Sequence, residues 1–67
     1  MTCLLIDEKQ HVKKFKFVEM ADIYMTKHKG VYFLIEIHQK FLGVSIIESK
    51  NGEITKIKDM VIKRYSC

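Results

Sequence analysis

The pattern of apolar and polar positions is plainest in Val31-Tyr32-Phe33-Leu34-Ile35-Glu36-Ile37-His38. Read as a strand, this run sends Val31, Phe33, Ile35 and Ile37 to one face and Tyr32, Leu34, Glu36 and His38 to the other. Both faces are largely apolar, which predicts a central strand in need of cover on both sides. The following run, Phe41 to Glu48, pairs antiparallel with it through a tight turn at Gln39-Lys40. In that register Ile37 faces Leu42, Ile35 faces Val44 and Phe33 faces Ile46, three stacked pairs worth about 0.2–1 kcal/mol each over alanine. A slip of one residue would destroy all three.

Asn51-Gly52 is the strongest local signal, because a type I′ turn needs positive φ at both central positions and these residues tolerate it. The hairpin it closes sets Lys50 opposite Glu53 and Ile46 opposite Ile57. It also sends Asp59 toward the face that holds Val44, unless a β-bulge near Asp59 re-aims it to solvent. The competing reading of 53–65 is a helix, since Ile54, Ile57, Val61 and Tyr65 share one side of a helical wheel.

Upstream, Thr26-Lys27-His28-Lys29-Gly30-Val31 fits a three-residue hairpin loop ending in a left-handed Gly30, with Met25 opposite Phe33 and Ile23 opposite Ile35. That register places Asp22 against Glu36, so pairing should end there. The alternative for 18–29 is a helix with Phe17, Ala21, Tyr24 and Met25 inward, acids early, bases late and Gly30 just past its end. Val12 to Val18 alternates as a half-exposed strand, Phe15 and Phe17 against Lys14 and Lys16, and Thr2 to Ile6 is a short apolar strand. The expected fold is all-β, a strongly twisted antiparallel meander or partly open barrel of five to six strands, with α+β as the alternative.

Composition adds bounds. The 67 residues allow one compact domain, 1–67, and 48% apolar content without proline excludes a disordered chain. The opening apolar run reaches only Ile6 before two acids, too short for a signal-peptide core or a membrane span, which predicts a cytoplasmic protein with no membrane contact. Cys3 and Cys67 lie at opposite ends of the chain, where reduced thiols are the expectation.

The chemistry expected of an enzyme is missing from the pattern. No serine, threonine or cysteine sits in a nucleophile motif, His11, His28 and His38 lack metal-type spacing, and Gly30, Gly43 and Gly52 are isolated. We therefore expect no catalytic residue, no cofactor and no metal.

Two binding roles remain. The formal net charge is +4, with eleven lysines and only Arg64 as a second kind of base. Lys13, Lys14, Lys16, Lys56, Lys58, Lys63 and Arg64 could contact phosphates in a sequence-tolerant, salt-sensitive nucleic-acid interface. The preferred expectation is protein contact. A sheet this small covers one face at most, so Tyr32, Leu34, Phe41, Ile47 and Ile62 should meet either a second copy or a larger protein, unless the sheet closes into a barrel. A lone domain rich in lysine and isoleucine, empty of catalytic motifs, fits a regulator or inhibitor of the kind phage and other mobile elements carry.

Overall fold

The computed structural model describes residues 1–63. Five strands and one helix follow in the order β1 (Thr2–Ile6), β2 (Val12–Phe15), α1 (Val18–Lys27), β3 (Gly30–Ile37), β4 (Phe41–Lys50) and β5 (Glu53–Lys63). All pairs are antiparallel and the sheet is open, with spatial order β2-β1-β3-β4-β5. The last three strands form a meander, while α1 carries the chain across one face so that β3 lands on the far side of β1.

The β3–β4 register is the one the apolar pattern dictates, with Ile37 opposite Leu42, Ile35 opposite Val44 and Phe33 opposite Ile46. Asn51 and Gly52 stand at φ +54° and +80°, as a type I′ turn requires, and Lys50 pairs with Glu53. Segment 53–63 is a strand and not a helix.

The segment before β3 is helical, so the pairing of Met25 with Phe33 and Ile23 with Ile35 does not form; the helical alternative holds over Val18–Lys27, with Ala21 and Met25 inward but Phe17 exposed. The reason is competition for the edge of β3. β1 offers Leu4 to Ile35, Leu5 to Leu34 and Ile6 to Phe33, an apolar match along its length, whereas the 20–26 segment would set Asp22 against Glu36. Glu19 in the first turn and Lys27 in the last then complement the helix dipole. The second strand is also shorter than alternation suggests: it ends at Phe15, and Phe17 leaves it to become the helix N-cap.

α1 is fastened at its C-terminal end by the sheet. The Tyr32 hydroxyl donates to the His28 carbonyl at 2.6 Å, and the Ser49 hydroxyl donates to the Met25 carbonyl, which also accepts the His28 N–H at 3.3 Å. Terminal helix carbonyls lack partners within the helix, so hydroxyls from β3 and β4 supply them. Ala21 and Met25 thereby close over Cys3, Leu5, Tyr32, Leu34 and Ile47 to make the core. Burial raises the Cys3 thiol and Tyr32 phenol above their ordinary values, which keeps both protonated.

A β-bulge interrupts β5. Ile47 pairs with Lys56 but Ile46 pairs with Lys58, leaving Ile57 as the extra residue. The bulge stands two residues before Asp59, and it changes the face of everything after it. Asp59 now lies opposite Ser45 and accepts its hydroxyl at 3.1 Å, while Met60 and Ile62 swing beside Val44 and Leu42. Ile57 consequently does not face Ile46.

Candidate docking face

The helix covers one face of the sheet and leaves the other without cover. On the covered side, Tyr32, Leu34 and Ile47 are no more than 5% exposed. These three residues, expected from the sequence at an intermolecular interface, are instead the monomer's own core. Alternation along β3 distinguishes two apolar faces but does not say which one the chain itself will cover; the position of α1 decides that.

Phe41 also lies on the helix side, yet beyond the end of the helix, where it stays 40% exposed and stacks on His38 at 4.3 Å between ring centroids. That stack and the His38 N–H to Phe41 carbonyl bond at 3.0 Å brace the Gln39-Lys40 turn, a contact unforeseen from the sequence. Ile62 belongs to the opposite face, moved there by the Ile57 bulge. The five expected interface residues are therefore not brought together.

The uncovered face is built from the other half of the alternation. β3 contributes Val31, Phe33, Ile35 and Ile37, β4 contributes Leu42, Val44 and Ile46, and β5 adds Met60 and Ile62. β1 extends it with Leu4 and Ile6. Phe33 is 48% exposed and Met60 50%, while Val44 and Ile46 are half-buried between their strand neighbours. A shallow hollow of about 130 Å³ opens among Phe33, Val44, Ile46, Lys58 and Met60. Charges stand only around this apolar centre: Lys14 on one edge strand, Lys58 on the other, and Glu48, Lys50 and Glu53 near the Asn51-Gly52 turn. Contiguous apolar surface of this extent is rare on a monomer and marks sites of contact.

The candidate phosphate contacts are dispersed. Lys13 and Lys14 belong to β2 and Lys56, Lys58 and Lys63 to β5, the two opposite edges of the sheet, roughly 19 Å apart across four strand spacings. Lys13 holds its ammonium 5.2 Å from the Tyr24 ring centre on the helix side, whereas Lys14 and Lys58 face the uncovered side. Lys56 sits 3.8 Å from Asp59, and Lys16 lies in the bend before the helix. Arg64, like Cys67, falls outside the described residues.

A second cleft, of about 380 Å³, lies beside the β1–β2 loop among Asp7, Glu8, His11, Tyr24, His28 and Lys29. Its acids have structural work. Asp7 accepts the backbone N–H groups of Lys9 and His11, both at 2.9 Å, and the His11 bond is the main cause holding its carboxyl below the ordinary value. Glu8 accepts the Val31 N–H at 2.9 Å. Tyr24 stacks on His28 at 4.3 Å. Among the described residues no group of three His, Cys, Asp or Glu side chains could hold a metal ion, and no helix is long and apolar enough to cross a membrane. Comparison with known proteins finds no matching family model, no matching curated protein and no matching solved structure.

Proposed function

We propose that this chain is a small non-enzymatic regulatory or inhibitory protein, of the kind mobile elements carry, that acts by protein–protein contact through the uncovered face of its sheet. One observation carries this reading: the single helix is spent on the Tyr32–Leu34–Ile47 side, and the opposite side presents Phe33, Met60 and Ile62 at 43–50% exposure in one apolar surface. Water is a poor neighbour for such a surface, and burying it at about 25 cal/mol per Å² rewards a partner. The partner suited to it is a protein with a flat apolar patch, because Lys58 alone among the hollow's lining residues is charged and a single lysine makes no cluster of bases for an anionic ligand.

A photoreactive phenylalanine analogue in place of Phe33, illuminated in the source cell, tests this directly. Discrete protein adducts at position 33, absent when the analogue replaces exposed Lys29 in the turn between α1 and β3, are the expected result. Equal, diffuse labelling at both positions would remove the basis for the proposal. The nucleic-acid alternative has less support, since its lysines are split between two edges and two faces. Affinity for a mixed-sequence oligonucleotide should therefore be negligible even at low salt, where phosphate attraction is greatest. Tight binding there that falls steeply with salt would favour the alternative.

A further inference from the structure

Resting on the reading that the uncovered face is a docking surface, we infer that its occupant is a second copy of this chain, the two sheets stacking face to face as a twofold β-sandwich. Area is the first argument. Strands of 4, 5, 8, 10 and 11 residues, at about 4.8 Å spacing and about 3.3 Å per residue, give a face of order 600 Å². Two such faces together clear the roughly 1,000 Å² that a specific interface needs.

Self-complementarity is the second. A twofold interface uses the same patch on both copies, so the patch must tolerate its own charges and match its own shape. Lys58 at the lip of the hollow is the charge nearest the apolar centre, and the rim carries Lys14 and Lys50 with Glu48 and Glu53, close to balance. Phe33 is 48% exposed beside a hollow it shares with Val44, Ile46, Met60 and the stem of Lys58. A knob and a hole side by side on one surface are what a copy rotated by half a turn can fill, and an aromatic seated in a pocket is the usual energetic anchor of an interface. Sheets so stacked lie about 10 Å apart with strands within about 30° of alignment, the geometry in which inner side chains interdigitate.

Light scattering on the purified full chain across micromolar to submillimolar concentration tests the inference, together with binding of an apolar fluorescent dye. The expected result is a particle of twice 7.9 kDa that Phe33→Lys converts to a folded monomer with an unchanged far-UV spectrum. Met60→Lys, on an edge strand and half exposed, repeats the test should Phe33→Lys disturb the fold. Ile23→Lys, on the outer side of α1, and Ile57→Lys, at the bulge, should leave the dimer intact. A wild-type monomer that binds the dye, and loses it with Phe33→Lys, would overturn the second copy as occupant while leaving the docking face standing. A monomer whose dye binding ignores Phe33→Lys and Met60→Lys would overturn both. A dimer broken by Ile23→Lys or Ile57→Lys but not by the face variants would place the contact elsewhere and sink the inference.

Discussion

Single residues in this chain carry opposed duties, and Phe17 is the clearest case. Its backbone, at φ −129° and ψ 142°, has the extended conformation of a helix N-cap, but its side chain makes no capping bond and is 59% exposed. Serine there would accept an orphan N–H of the first turn, so Phe17→Ser should stabilise the protein by about 1 kcal/mol in urea unfolding. A loss of stability would show that Phe17 has packing value its exposure conceals. Asp22 is strained in another way. Burial is the main reason its carboxyl stands above the ordinary 3.8, and neighbouring Glu19 and Glu36 push it further, against Lys56. The folded protein therefore prefers the protonated form, and this contribution to stability is full below pH 3.8 and fades as pH rises through the raised value. Asp22→Asn should abolish that slope and, by relieving a like-charge pair on the helix, gain about 0.2–0.5 kcal/mol at neutral pH. Urea titrations from pH 3 to pH 7 should show the two proteins diverging upward in pH; parallel curves would refute the assignment.

Elements show where pattern was informative and where it was mute. β3 and β4 could be read from alternation, because three apolar pairs leave them one acceptable register, and β1 from its short apolar run. α1 was readable only as an alternative. Tyr24-Met25-Thr26 matches Tyr32-Phe33-Leu34 as well as any hairpin pair, and what defeats the match is a long-range competitor, the Thr2–Ile6 strand, that local pattern does not weigh. The uncovered face was misjudged for the same reason: its residues were visible as one half of an alternation, but the side that α1 would occupy was not. The bulge has a sequence logic of its own. Lys56 and Lys58 already alternate correctly about β4, so Ile57 is the residue the ladder can spare. Deletion of Ile57 should leave the fold intact at a cost of about 1 kcal/mol or less. Deletion of Met60 should do worse, since it returns Ile62 to the helix side. Amide exchange along β4 distinguishes them: protection kept in the first and lost from Val44 back to Phe41 in the second is expected, and equal loss in both would mean that the bulge itself is required.

At the scale of the whole molecule, which measures 43 × 21 × 21 Å, one helix of 10 residues lies on one face of the sheet and cannot cover the other. The core it does make is small, with seven buried hydrophobic residues among those described, led by Leu5, Met25 and Cys3. Domains of this size have little core to spare, so a large apolar face left in water is surface that assembly can still use. Folding and association should then be coupled. A partner that binds only the native chain stabilises it by mass action, and for a self-associating chain the concentration of partner is the concentration of protein. The midpoint of thermal unfolding should rise with protein concentration, by several degrees per kcal/mol of association free energy in a domain this short. Phe33→Lys should remove the dependence while keeping the midpoint of the dilute wild type, because in the monomer a half-exposed side chain on an uncovered face loses little by becoming charged. Scanning calorimetry over a hundredfold range of concentration reads both effects. A concentration-independent wild type would mean that the face remains wet, and that stability in this chain comes from the Tyr32–Leu34–Ile47 side alone.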